Sequence, residues 1–134
     1  MYDTSFIDEL ASAAPTPGGG GASAYAGALA AALAAMVGNL TVGKKSYADV
    51  EDEVRSSLVR LDALLARLVA YVDEDARAFE PLAACYRMPK ETSEEQAAKN
   101  AALQQALMAA CEVPLAIMRT VEAVVDEIDF LARN

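Results

Sequence analysis

The chain contains no histidine. That single absence removes Ser-His-Asp and Cys-His catalysis, HExxH metal sites and most zinc sites, and leaves any chemistry to carboxylates, lysines and tyrosines. Cysteine is almost as scarce: Cys85 and Cys111 are isolated, with no C-x-x-C spacing. They read as small core residues. No basic stretch followed by a hydrophobic core opens the sequence, so a reduced, cytoplasmic setting is expected. Positive charge is in deficit, with 11 Lys and Arg against 20 Asp and Glu and a net charge of −9. Affinity for phosphate backbones needs the opposite balance, so no nucleic-acid partner is expected. A local pair of lysines could still hold a small anion. Glycine and proline number 7 and 5 and gather at a few junctions, which disfavours a sheet built on many turns.

What the chain has in quantity is alanine. It dominates an apolar fraction of 54% in 134 residues, enough for one core and one domain, and it favours helices packed closely on one another. The fold class expected is all-α, an elongated antiparallel bundle. Residues 22–42 are long and apolar enough to raise a transmembrane reading. Their alanine content, with Ser23, Tyr25 and Asn39, weighs against it, and no membrane partner is expected.

Four helical segments cover nearly everything. Ser5 can cap a short helix carrying Phe6, Ile7 and Leu10. A second helix is expected over about 21–42, with Leu29, Leu33, Met36 and Leu40 as its apolar stripe and small residues elsewhere. A third runs from about 49 to 88. A fourth is announced by a capping box, Thr92 with Glu95, and carries the stripe Leu103, Leu107, Ala110, Pro114, Ile117, Val121, Val124, Ile128 and Leu131, with Pro114 expected to kink it.

Between the first two helices lie Pro15, Thr16 and Pro17, followed by Gly18, Gly19, Gly20 and Gly21. Such a run opens backbone N–H groups at a helix start, where they and the helix dipole favour an anionic or oxygen-rich ligand. The inward series of the third helix is Val50, Val54, Leu58, Leu61, Leu65, Leu68, Val72, Asp75, Phe79, Leu82 and Tyr86. One member, Asp75, is charged. An inward carboxylate just before Pro81 must be hydrogen-bonded, neutralised or set in a wet cleft; alternatively Ala76 takes the inward slot and Asp75 sits at the border. A second helix of about 22 residues spans roughly 33 Å, and a third running back beside it brings Asp73 and Asp75 to the glycine loop. Lys44 and Lys45 then lie at the far end, where one protomer does not easily join them to the loop and an antiparallel pairing of two chains could.

The lysines have two readings, as dipole partners at the end of the second helix or, with Tyr47, as a clamp for a carboxylated aromatic ligand. The segment from Gly38 to Lys44 imitates a nucleotide-binding loop, but Lys45 stands where Ser or Thr is required and a helix precedes it. Asp73, Glu74 and Asp75 form either a solvated acidic step or a cation site, and no spacing supports a metal cage, so no metal is assigned.

Taken together, Pro15 to Gly20, the Ala/Leu helix, Asn39-Leu40-Thr41-Val42-Gly43-Lys44-Lys45, Tyr47, Val72-Asp73-Glu74-Asp75-Ala76, Phe79, Tyr86, Pro89-Lys90 and Val113-Pro114-Leu115 resemble the cyclodeaminase/cyclohydrolase family. This family includes the cyclodeaminase part of formiminotransferase-cyclodeaminase and free-standing bacterial methenyltetrahydrofolate cyclohydrolases. The resemblance implies a cytoplasmic, all-helical homodimer acting on a folate-borne one-carbon unit without metal or organic cofactor. It implies Asp75 and Asp73 as catalytic carboxylates, and Pro17, Gly18 to Gly21, Lys44, Lys45, Tyr47, Tyr86 and Lys90 as substrate-binding. The activity expected is hydrolysis of 5,10-methenyltetrahydrofolate to 10-formyltetrahydrofolate; the alternatives are formiminotetrahydrofolate cyclodeamination with release of ammonia, or a shortened non-catalytic folate-binding or oligomerisation module. Gly21 stands where the family usually has Ser, and the family usually continues past the equivalent of Asn134. The domain expected over 1–134 therefore lacks the family's C-terminal helices.

Overall fold

The small residues of the second helix, not its large ones, build the core. A computed structural model describes residues 3–134 as four α-helices: α1 (Ser5–Leu10), α2 (Gly19–Thr41), α3 (Glu51–Tyr86) and α4 (Ser93–Arg133), with a 3-10 helix (Lys45–Val50) entering α3. On α2 the inward face is Ala24, Gly27, Ala28, Ala31, Ala34, Ala35 and Gly38, all buried. Leu29, Leu33, Met36 and Leu40 are 52%, 60%, 52% and 61% exposed. The stripe picked out by side-chain size is thus the outer face. The reason is spacing: an axis lined by alanine and glycine lets α3 approach closely, and a leucine there would hold it off.

Glycines confined to junctions were expected, yet Gly27 and Gly38 lie inside α2. A Cβ on Gly27 would stand 2.9 Å from Val121 Cγ2, and one on Gly38 2.8 Å from Leu58 Cδ2. These contacts also give the topology: Gly38 meets Leu58, Gly27 meets Leu68 and Gly21 meets Val72, so α3 runs antiparallel to α2. α4 runs antiparallel to α3 in turn, and α3 packs on both neighbours while α2 and α4 touch least. Leu61, Leu68, Val54 and Val124 fill the interior, each contributing roughly 1.5–3 kcal/mol of burial.

Several local expectations are corrected. Thr4, not Ser5, precedes α1; Ser5 is its first residue, its N–H donating to Asp3 Oδ1 at 2.9 Å. Tyr86 is 57% exposed rather than inward, because the stripe drifts at the end of α3 and Cys85 takes the buried position. Cys111 is exposed while Cys85 is buried. The capping box forms as expected: Glu95 N–H donates to Thr92 Oγ1 at 3.1 Å and Thr92 N–H to Glu95 Oε2 at 3.2 Å. α3 and α4 continue through Pro81 and Pro114. By length and composition alone, α2 and α4 are each long and apolar enough to cross a membrane.

A polar clasp that the hydrophobic pattern does not reveal ties α3 to α4. Ser57, fully buried, donates to Glu127 Oε2 at 2.6 Å, and Arg60 donates to both oxygens of the same carboxylate. The Arg60 guanidinium holds the Glu127 carboxyl below the usual glutamate range, with Ser57 adding to the effect against the cost of burial.

Candidate functional site

α3 and α4 extend beyond the start of α2 as a two-helix arm, held by Leu82, Cys85 and Ala106. Where the three-helix part meets the arm, the turn before α2 leaves a cavity of about 330 Å³. That volume lies in the range of small-molecule sites. Its walls are apolar: Phe79 and Leu82 from α3, and Leu107, Ala110, Cys111 and Pro114 from α4. Its polar end is Asp75 together with the backbone of Gly18, Gly19 and Gly20.

The polar end follows from helix chemistry. Gly18, the residue before α2, has an extended backbone and no side chain to cap the helix. The first intrahelical bond is from Ala22 N–H to Gly18 O at 3.0 Å, so the N–H groups of Gly19, Gly20 and Gly21 need other acceptors. Asp75, reaching over from α3, takes the one on Gly21, with Oδ2 accepting at 2.9 Å. The inward reading of Asp75 is therefore the one realised, half-buried and hydrogen-bonded. A Cβ on Gly20 would lie 2.1 Å from Asp75 Oδ1. Gly20 must therefore be glycine for the carboxylate to reach the helix end, whereas a Cβ on Gly18 or Gly19 would meet nothing within 4 Å. Gly19 and Gly20 line the cavity, and their N–H groups precede the first intrahelical bond. Pro114, also in the lining, has no N–H for the carbonyl of Ala110, which is left without its intrahelical donor.

The other expected site residues are not in this cavity. Asp73, two residues before Asp75 on α3, points to another side of the helix; its side chain is 80% exposed and stands 3.9 Å from Arg77. Glu74 pairs with Arg67. Pro17 lies behind the loop, its Cβ facing Gly21. Tyr86 and Lys90 are at the arm's tip, 11 residues or roughly 16 Å along α3 in the case of Tyr86. Lys44, Lys45 and Tyr47 follow α2 at the other end, exposed. Sequence reasoning missed Leu107 and Cys111 as cavity residues. It also missed Lys99, whose Nζ donates to the carbonyls of Tyr86 and Met88 at 2.9 and 3.0 Å and so closes the end of α3. Among the described residues, no group of three or more Cys, Asp or Glu is arranged to hold a metal ion.

Fold and site together define a helical-bundle protein with a ligand-sized cavity capped by a carboxylate and a glycine-rich helix start. Residues 3–134 match the sequence profile of formiminotransferase-cyclodeaminase. The chain belongs to that family. It is 45% identical over 129 residues to a methenyltetrahydrofolate cyclohydrolase from Methylorubrum extorquens, covering 96% of this chain and 62% of the relative. It is 39% identical over 116 residues to the formimidoyltransferase-cyclodeaminase of Sus scrofa, covering 87% of this chain and 21% of that protein. The crystal structure of formiminotetrahydrofolate cyclodeaminase from Thermotoga maritima superposes with a TM-score of 0.83 at 33% identity, covering 99% of this chain and 62% of that one. The chain thus spans less than two thirds of the length of these relatives.

Proposed function

We propose that the chain acts in folate one-carbon metabolism by hydrolysing 5,10-methenyltetrahydrofolate to 10-formyltetrahydrofolate, as a cytoplasmic homodimer without metal or organic cofactor and without a nucleic-acid or membrane partner. The observation that carries this reading is the 45% identity with a methenyltetrahydrofolate cyclohydrolase across nearly the whole chain.

The chemistry suits the cavity. The methenyl carbon sits in an amidinium cation; water adds to it, a proton is lost, the bond to N5 breaks, and N5 takes up a proton as the formyl group stays on N10. Asp75 has one oxygen fixed by Gly21, which leaves the other to accept a hydrogen bond from the attacking water and to stabilise the cation. The N–H groups of Gly19 and Gly20 suit a ring oxygen, and the apolar walls suit a flat heterocycle.

A second reading rests on the relatives named cyclodeaminases: N10 attacks the formimino carbon and ammonia leaves, with the same carboxylate beside the reacting carbon. Loss of 5,10-methenyltetrahydrofolate absorbance, followed with the purified chain and with Asp75→Asn, tests the first reading. Acceleration that the substitution abolishes supports it. No acceleration, with turnover of formiminotetrahydrofolate, favours the second. Folate binding without either reaction would indicate a non-catalytic module.

A further inference from the structure

We infer that the ligand site has two seats: the Asp75 cavity takes the pterin of the ligand, and a second cavity, across Gly19, Gly20 and Pro114 from it, takes the aromatic arm joined to that pterin. The inference rests on the proposed folate reading and deepens it, and two adjoining cavities supply the geometry.

The second cavity, of about 270 Å³, is lined by Gly19, Gly20, Ser23, Pro114, Ile117 and Met118. Gly19, Gly20 and Pro114 line the Asp75 cavity as well, so the start of α2 and the proline of α4 form a saddle between the two. The order along α4 sets them on opposite sides of that saddle. Leu107 and Cys111, before Pro114, belong to the first, and Ile117 and Met118, after it, to the second. Leu107 to Met118 spans roughly 16 Å of helix, a trough long enough for two linked ring systems. The saddle is low because glycine forms it: a Cβ on Gly19 would meet nothing within 4 Å.

Chemistry assigns the two seats. In a 5,10-methenylated folate the reacting carbon joins N5 of the pterin to N10 of the aminobenzoyl arm, and so lies between two flat ring systems. Asp75 stands in the corresponding place. It lines the first cavity, and its carboxylate fills the space beside Gly20, a residue of the saddle. The glutamate tail hangs on the arm, so the arm's seat needs an outlet. The second cavity has one: it continues into a wider depression that shares Ser23, Ile117 and Met118, where Met118 and Val125 are exposed. Glu122 lines that depression and keeps the tail's carboxylates off its wall and in water. The second seat itself suits an aromatic ring. The Ser23 hydroxyl donates to the carbonyl of Gly19 at 2.7 Å, and the remaining side chains are proline, isoleucine and methionine, whose thioether is a favourable neighbour for a ring.

Ser23 and Met118 line the second cavity and not the first, and both are exposed, so substitutions there test the arm's seat without touching Asp75. Ser23→Leu and Met118→Asp should keep their helical circular dichroism and raise KM for 5,10-methenyltetrahydrofolate about tenfold or more at nearly constant kcat. Unchanged KM in both would overturn the second seat. Thiol labelling with iodoacetamide reads occupancy directly, whether or not the reaction runs. In the Met118→Cys chain, 5-formyltetrahydrofolate, a stable ligand with both rings, should slow labelling at Cys111 and at position 118; 6-methyltetrahydropterin, which lacks the arm, should slow it at Cys111 alone. A folate that protects Cys111 and not position 118 would overturn the second seat and leave the folate reading standing. One that protects neither thiol would overturn both. A pterin that protects position 118, or fails to protect Cys111, would overturn the assignment of the two seats.

Discussion

The carboxylate of Asp75 occupies the space that a side chain on Gly20 would fill, with Oδ1 2.1 Å from where that Cβ would stand. The two positions therefore constrain each other: glycine at 20 is the condition for Asp75 to reach the end of α2 and accept from Gly21. Structure and chemistry meet in one group. The carboxylate takes one N–H of a helix start that has no cap of its own, and it is also the charged group of the cavity.

Gly20→Ala should therefore displace the Asp75 side chain and break its bond to Gly21, whereas Gly19→Ala should leave both in place. The methyl at 20 meets only the movable end of Asp75, so its cost is the lost cap, about 0.5–2 kcal/mol, set against a helix-propensity gain of up to about 1 kcal/mol that Gly19→Ala receives without that loss. Urea unfolding should therefore find Gly20→Ala less stable than Gly19→Ala. Equal shifts would show that the close approach does not hold in solution.

Asp75→Asn should separate the two roles of the carboxylate. An asparagine oxygen can still accept from Gly21, so the fold should lose no more than about 1 kcal/mol, the scale of a helix cap. Turnover of 5,10-methenyltetrahydrofolate should fall by roughly 100-fold or more if the charge orients water or stabilises the cation. Asp75→Ala should lose both stability and turnover. An Asn variant with full turnover would remove Asp75 from the chemistry.

The meeting of Asp75 and the glycine loop was legible in the sequence because it depends on two robust quantities, the rise of a helix and the length of the segment between its ends. The facing of α2 was not. Pattern reading weights residues by hydrophobicity and size, and so it singled out Leu29, Leu33, Met36 and Leu40; the interior instead selected the alanines and glycines that permit close approach. Asp73 misled for a related reason: adjacent acidic residues look alike in sequence, but two positions along a helix turn a side chain through about 200°. Ser57 and Glu127 were invisible because 70 residues separate two polar groups that look like surface residues until the helices pair.

Cys111 lines the cavity and is exposed, whereas Cys85 is buried in the arm. Iodoacetamide should therefore label Cys111 much faster than Cys85, and a folate that fills the cavity should slow that labelling without affecting Cys85. Peptide mass spectrometry reads both rates. Undiminished labelling of Cys111 at saturating ligand would place the ligand elsewhere.

The Ser57, Arg60 and Glu127 clasp should make stability fall in acid. Arg60 lowers the Glu127 carboxyl from its ordinary value, Ser57 adds to this, and burial opposes it. Because the folded value is the lower one, the stabilisation is complete above the unfolded glutamate value of about 4.3 and is lost as pH falls through the folded value. Glu127→Gln should flatten this acid limb of the thermal midpoint against pH. Glu127→Ala goes further, since it leaves the Ser57 hydroxyl buried without its acceptor, at about 1–3 kcal/mol. The double variant Ser57→Ala, Glu127→Ala should recover part of that loss, because the stranded hydroxyl is removed with its partner. If the double variant were no more stable than Glu127→Ala, the cost would lie in lost packing between α3 and α4 and not in the hydrogen bond.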